Sequence, residues 1–251
     1  MAYGDFVVQR NLTFTINKGD IFIIMGGSGC GKSTLLRHMV GLKAPAKGSV
    51  LYEGISFWDA GEEAQAGLMR RFGILYQSGA LWSSMTLAEN VALPLATYTD
   101  LASDAIADIV ALKLALVGLS GFEDYFPAEI SGGMRKRAGL ARAMALDPEI
   151  LFFDEPSAGL DPISAHLLDE LIVELRESLG ATVVIVTHEL ASIFAISNNS
   201  VFLDTDTKTM IATGDPHEML NTSSDPKIIR FLTRGQSEAH KPSGTEPGGV
   251  Q

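Results

Sequence analysis

Along this chain, apolar and polar positions fall into two regimes. Four short runs, at 21–25, 73–76, 150–153 and 182–186, are almost wholly apolar and rich in β-branched or aromatic residues. Runs of that length and make-up suit strands buried on both faces of a largely parallel sheet. Between them, stretches with helical spacing occupy 32–41, 102–116, 133–146 and 165–179. Two segments read differently. The segment 6–17 has apolar residues at alternate positions, and 45–52 carries Lys47-Gly48; both predict antiparallel strands flanking the core. The run from 201 to 214 is broken by Asp204-Thr205-Asp206-Thr207-Lys208, which predicts a late hairpin before a final helix near 217–220. No internal repeat is present, and the alternation of strands and helices predicts an α/β fold.

Each buried run stops at a residue of different character. Gly26 follows the first, Gln77 the second, Asp154 with Glu155 the third, and Thr187 with His188 the fourth. Ligands of open α/β sheets bind outside the carboxyl ends of the strands, so these four endings are expected to converge on one site.

Composition narrows the reading. The chain has 251 residues, 46% of them apolar, enough for a substantial core. Its net charge of −11 argues against wrapping nucleic acid, whose binding rests on Lys and Arg neutralising phosphates. No apolar run approaches the roughly 20 residues that span a bilayer, and the start has no signal-peptide pattern. Any membrane role is therefore expected to come through a partner. The single cysteine, Cys30, excludes an internal disulfide and suits a reducing compartment. Sitting inside a glycine-rich loop, it reads as a small loop residue rather than a nucleophile. The last residues are rich in Gly, Pro, Ser, Glu and Lys, and predict a disordered tail over 235–251 behind a domain at 1–234.

Gly26-Gly27-Ser28-Gly29-Cys30-Gly31-Lys32-Ser33, followed by Thr34, fits the phosphate-loop pattern and lies between a strand and a helix, as that pattern requires. Glycines let backbone N–H groups turn toward phosphates, and the helix N-terminus adds partial positive charge. Lys32 is expected to reach the β- and γ-phosphates, and Ser33 the Mg²⁺. Asp154 ends a buried strand, where a carboxylate needs a cation, and Mg²⁺ supplies one. Glu155 is the candidate for polarising the attacking water. Asp161 precedes Pro162 and reads both as a helix cap and as a site residue.

A second candidate anion site lies a hundred residues on. Ser131 reads as an N-cap, Gly132 and Gly133 open a helix with bare N–H groups, and Arg135, Lys136 and Arg137 follow. Alone, Ser-Gly-Gly before a helix is more often a plain cap.

Taken together, these residues resemble the ATP-binding subunits of ABC transporters over nearly the whole chain. The phosphate loop, Gln77 as Q-loop glutamine, Ile130-Ser131-Gly132-Gly133-Met134 as signature, Asp154-Glu155, Ser157-Ala158-Gly159-Leu160-Asp161 as D-loop and His188 as switch histidine occur in the family's order. The resemblance implies a P-loop NTPase with a mostly parallel core sheet, an antiparallel β subdomain and a helical signature subdomain at about 78–146. It implies ATP and Mg²⁺ as ligands, Glu155, His188 and Gln77 as catalytic residues, and Ser33, Gln77 and Asp154 at the metal. It also implies a head-to-tail homodimer, in which the signature of one subunit covers the γ-phosphate held by the other. Two departures stand out. Tyr3 is the aromatic matching the one that stacks on adenine, yet only Met1 and Ala2 precede it, and Met134 replaces the commonest glutamine.

The stretch from Gln77 through Trp82 to Pro94, with the signature methionine and Asp154-Glu155-Pro156-Ser157, further resembles the Mla-type ATPases of lipid transporters that work with MCE-domain proteins. That likeness implies an integral-membrane permease, a periplasmic MCE-domain protein and a STAS-domain regulator as partners. It also implies a peripheral place on the cytoplasmic face of a bacterial inner membrane. The rival within the family is an importer of a small solute such as an amino acid. A P-loop small-molecule kinase would share the phosphate loop but leave the signature and D-loop unexplained, and a soluble repair or translation protein of the family would usually carry two cassettes or a long insertion. Leu81 and Trp82 read either as core or as part of a groove for a permease helix.

Overall fold

The computed structural model describes residues 1–235; the predicted tail, from Gln236 on, lies outside the described residues. In chain order the elements are β1 (Ala2–Tyr3), β2 (Phe6–Val7), β3 (Ile21–Gly26), α1 (Lys32–Met39), β4 (Leu51–Tyr52), β5 (Ile55–Ser56), α2 (Glu62–Arg70) and β6 (Phe72–Leu75). Then come α3 (Leu87–Tyr98), α4 (Ser103–Leu116), a 3₁₀ turn (Pro127–Glu129), α5 (Gly132–Ala143) and β7 (Ile150–Asp154). The last part holds α6 (Pro162–Leu179), β8 (Thr182–Val186), α7 (Leu190–Ile196), β9 (Asn199–Asp204), β10 (Thr209–Thr213), α8 (Pro216–Thr222) and α9 (Pro226–Leu232).

The four apolar runs form adjacent or near-adjacent strands of one six-stranded sheet, ordered β10-β9-β3-β8-β7-β6. All pairs are parallel except β9 with β10, the predicted hairpin. All six residues of β3 are buried. Ile21, Ile23 and Met25 feed one core cluster and Phe22 and Ile24 the other, as the two-residue period of a strand demands. Burying each of these large side chains contributes about 1.5–3 kcal/mol, which is why the run tolerates no polar residue. One cluster is roofed mainly by α3, α4, α5 and α6, the other by α1 and the N-terminal segment. Pairing of Leu75 with Phe153, Asp154 with Val186 and Ile24 with Val186 levels the strand ends, so the four predicted endings share one edge.

The helices between β6 and β7 bring the signature alongside. Thr86 accepts from the Glu89 amide at 3.2 Å while the Glu89 carboxylate accepts from the Thr86 amide at 2.7 Å, a capping box that starts α3. α5 packs against α3, α4 and β6. Downstream, Pro162 opens α6 and Gly180, at φ 62°, ends it.

Three expectations are corrected. Only Phe6–Val7 of the segment 6–17 is a strand. Leu12, Phe14 and Ile16 do alternate inward with Thr13, Thr15 and Asn17 exposed, and Phe14 stacks on Phe22 with ring centroids 5.4 Å apart. That alternation comes from draping an extended chain over the sheet face, where it has no ladder partner among the described residues. In 45–52 only Leu51–Tyr52 pairs, in a two-residue hairpin with Ile55–Ser56, so the antiparallel part outside the main sheet is small. The final helix is longer than predicted, at Pro216–Thr222, and a further one, Pro226–Leu232, follows it; Asp215 and Asp225 cap them ahead of a proline.

Candidate functional site

The phosphate loop leaves β3 through Gly26, whose φ is 144°. A Cβ there would meet the Leu203 carbonyl oxygen at 2.3 Å, so no other residue fits without moving backbone. Gly31, at φ 99°, faces Val8, whose Cγ1 would lie 2.6 Å from an added Cβ. Glycine is therefore dictated by the chain's own packing at both ends of the loop. α1 begins at Lys32 with neither a side-chain cap nor an acidic residue in its first turn, which leaves its N–H groups free for an anion. The Lys32 ammonium folds over the loop, 3.0 Å from the Gly26 carbonyl and 3.2 Å from that of Gly27. Ser28, Gly29 and Thr34 complete the stretch. Cys30 is buried, and burial pushes its thiol above the ordinary value, as befits an inert packing residue.

The loop has a support that the sequence did not disclose. Gln9 is wholly buried, and its Nε2 donates to the Cys30 carbonyl at 2.7 Å and to the Asp204 carbonyl at 3.0 Å. One amide thus ties the draped N-terminal segment to both the loop and the end of β9. Asp204 is itself pinned: Lys227 lies 2.8 Å from its carboxylate and the Thr207 amide 2.9 Å.

Beside the loop the Ser33 hydroxyl donates to Asp154 Oδ1 at 3.0 Å, an arrangement drawn from residues 121 positions apart. These are hard oxygen donors of the kind Mg²⁺ takes in ones and twos, completing its shell with phosphate and water. Among the described residues no cluster of three or more His, Cys, Asp or Glu is placed to hold a metal. Glu155, at φ 51°, bonds through its amide to the Val186 carbonyl at 2.8 Å. Its Oε1 lies 2.8 Å from His188 Nδ1, whereas its Oε2 is buried without a partner among the described residues. The carboxylate is mostly covered, 14% exposed, and the imidazole 56% exposed. Gln77 is exposed two residues past β6, next to Tyr76. Burial, joined by the nearby Asp154 charge, raises the Tyr76 phenol above its ordinary value despite Arg37.

Other predicted site residues fall differently. Tyr3 is half exposed, the Lys43 ammonium lies over its ring, and hydrogen bonding with Thr34 and then Arg37 lowers its phenol pKa. Asp161 spends its carboxylate on its own helix: Oδ1 accepts from the Ile163 and Ser164 amides at 3.1 and 3.0 Å, and Oδ2 from the Ser164 hydroxyl at 2.6 Å. Ser131 caps α5 by accepting from the Met134 amide at 3.2 Å. Ser131 and Gly132 are exposed, and among the described residues no hydrogen bond joins Ser131, Gly132 or Gly133 to the phosphate loop. The basic run behind them is not part of an anion site. Arg135 donates to the Pro127 and Ile130 carbonyls, Lys136 to those of Pro156 and Ala158, and Arg137 to that of Val117. Each cation turns inward because a backbone carbonyl left over by a turn or helix end lies within its reach.

The sequence pattern of the ABC transporter family matches residues 9–158, taking in the phosphate loop, Gln77, the signature and the Asp154-Glu155 pair. The chain belongs to this family. Like the intermembrane phospholipid transport system ATP-binding protein MlaF of Haemophilus influenzae, it has the ABC arrangement over most of its length: the two are 39% identical over 94% of this chain and 88% of that one. The MlaF of Escherichia coli K12 is 38% identical over 91% of this chain and 84% of its own. The "Probable ribonucleotide transport ATP-binding protein mkl" of Mycobacterium tuberculosis is 41% identical over 92% of this chain, which spans only 64% of that longer protein. Among solved structures, the dimeric ATP-binding cassette MJ0796 in a post-hydrolysis state with ADP and Pi superposes with a TM-score of 0.74 at 29% identity, over 83% of this chain and 90% of that one. By family and by fold the chain is an ABC-type ATP-binding cassette. No helix among its described residues is long and apolar enough to cross a membrane.

Proposed function

We propose that this ABC cassette hydrolyses ATP as one half of a homodimer and thereby energises phospholipid transport between membranes. The observation that carries the hydrolytic part is the set Ser33, Asp154, Glu155 and His188. One Glu155 oxygen is held at 2.8 Å by the imidazole, and the other is buried with no partner among the described residues. A buried acceptor left unpaired is costly, and a water at that oxygen satisfies it while giving up a proton to it. The loop N–H groups and Lys32 hold the β- and γ-phosphates; Ser33 and Asp154, with Gln77 at the edge, would hold Mg²⁺. When bound, that cation neutralises developing charge on the phosphates. His188 fixes the orientation of Glu155. Tyr3 faces the adenine, and Ser131, Gly132, Gly133 and Asp161 serve the nucleotide across the dimer. Replacing Glu155 by Gln tests the assignment, since it keeps the shape and removes the base.

Lipid as cargo is supported by the names of the two MlaF relatives. It brings with it an integral-membrane permease, an MCE-domain periplasmic partner, a STAS-domain regulator and a place on the cytoplasmic face of the inner membrane. The permease seat is an open groove of about 370 Å³ lined by Trp82, Leu93, Pro94, Thr97, Tyr98 and Arg142. Trp82 is 58% exposed, whereas Leu81 is half-buried against the main core, so Trp82 is the better anchor. The mycobacterial relative named for ribonucleotide transport supports a second reading, a small-solute importer. Purifying the cassette with its permease and identifying copurified lipid by mass spectrometry decides between them: bound phospholipid supports the first, and its absence with a solute-binding partner the second.

A further inference from the structure

The side chain of Lys136 is spent in an unusual way. It belongs to α5, five residues past the Ser131 cap, and is only 6% exposed. Its ammonium donates to the Pro156 carbonyl at 2.6 Å and to the Ala158 carbonyl, and neither partner is charged. Burying an ammonium against neutral carbonyls is expensive, and burial does lower its pKa. What those carbonyls belong to explains the expense. Pro156 follows Glu155, and the segment is a tight turn in which the Ala158 amide bonds back to the Glu155 carbonyl at 3.2 Å and the Leu160 amide to that of Ser157 at 3.1 Å. Glu155 begins this turn in the left-handed region at φ 51°, a conformation that persists only where the surroundings hold it.

We propose that Lys136 is a positioning residue that locks the turn carrying Glu155 onto the signature helix. Glu155 is held from the sheet side by Val186 and from the solvent side by His188, and Lys136 is the third hold, from the helical side. Because Ser131 caps the same helix, a displacement of α5 reaches Glu155 through this side chain. The inference rests on the ATPase reading above, and on Ser131 acting across the dimer for its link between the two nucleotide sites.

The test uses the full chain with Lys136→Met, which removes the donors, and Lys136→Gln, which keeps two N–H donors without the charge. A misplaced reacting group costs up to about 10²-fold. Lys136→Met is therefore expected to lower kcat by about 10- to 100-fold with ATP affinity unchanged within about twofold, and to speed amide exchange at Ala158 and Leu160. Lys136→Gln is expected to recover most of both. If Met prevents folding, Lys136→Ser, which admits water to the two carbonyls, takes its place with the same expectation. Unchanged kcat in a folded Met or Ser variant overturns the proposal, as does an equal loss in Gln and Met, which assigns the effect to charge alone. A wild-type chain without hydrolysis, or one indifferent to Glu155→Gln, instead overturns the underlying ATPase reading.

Discussion

The phosphate loop and the signature are both glycine-bearing openings of a helix, and they differ in what demands the glycine. In the loop the chain itself demands it: an added Cβ meets Leu203 O at 2.3 Å at Gly26 and Val8 Cγ1 at 2.6 Å at Gly31. In the signature nothing among the described residues does, for a Cβ at Gly132 or Gly133 would find only ordinary contacts, at 3.8 Å, with Arg135 and Leu160. The loop also collects its chemistry from its own chain, in Lys32, Ser33, Asp154 and, propped beneath, Gln9, whereas the signature's basic neighbours turn away from it. On the reading proposed above, the reason for the signature's glycines is external, the close approach of the nucleotide held by the partner subunit.

The largest effect tests the completeness of the first site. Glu155→Gln should keep ATP binding and lower turnover by about 10²- to 10⁴-fold, measured as steady-state phosphate release; Lys32→Ala should instead weaken binding itself. The next pair of variants acts on the comparison directly. Gly31→Ala forces a φ of 99° and a 2.6 Å contact, and should cost about 1–3 kcal/mol in denaturant unfolding along with nucleotide affinity. Gly132→Ala should leave the stability and ATP binding of the isolated subunit unchanged or slightly improved, and lower only hydrolysis by the dimer. Equal destabilisation by the two would erase the distinction. Gln9→Leu, which leaves the Cys30 and Asp204 carbonyls unpaired, should cost about 1–3 kcal/mol and loosen the loop, read as weaker nucleotide binding.

The smallest effect concerns the carboxylate at the end of β9. Burial pushes the Asp204 carboxyl up, but Lys227 and Thr207 outweigh it and hold it at about 2 against an ordinary 3.8. A depressed carboxyl stabilises the fold fully above its unfolded pKa and loses that contribution as pH falls through the folded one. The loss is therefore expected between about pH 4 and 2, and Asp204→Asn should remove it while costing about 1 kcal/mol at neutral pH.

The sequence made the first site legible because every part of it is local or lies at a strand end. Buried apolar runs stop where polar residues start, and the register then brings Gly26, Gln77, Asp154 and His188 to one edge. What stayed hidden depends on long-range partners. Gln9 looks like one polar residue in an apolar alternation, and only the loop above it reveals its role. Arg135, Lys136 and Arg137 look like an anion patch, since helical spacing does not tell which carbonyls lie in reach. The segment 8–17 alternates as a strand does, yet ladder formation needs a neighbour that alternation cannot supply.

The most direct test of the central claim is a mixed dimer carrying Ser131→Arg and Lys32→Ala. Placed in different subunits, the two changes spoil the same composite site and leave the other intact; placed in one subunit, they spoil both. Trans action predicts hydrolysis in the first arrangement and almost none in the second. Hydrolysis confined to the second arrangement would mean that each signature serves its own chain's nucleotide, and would contradict the account.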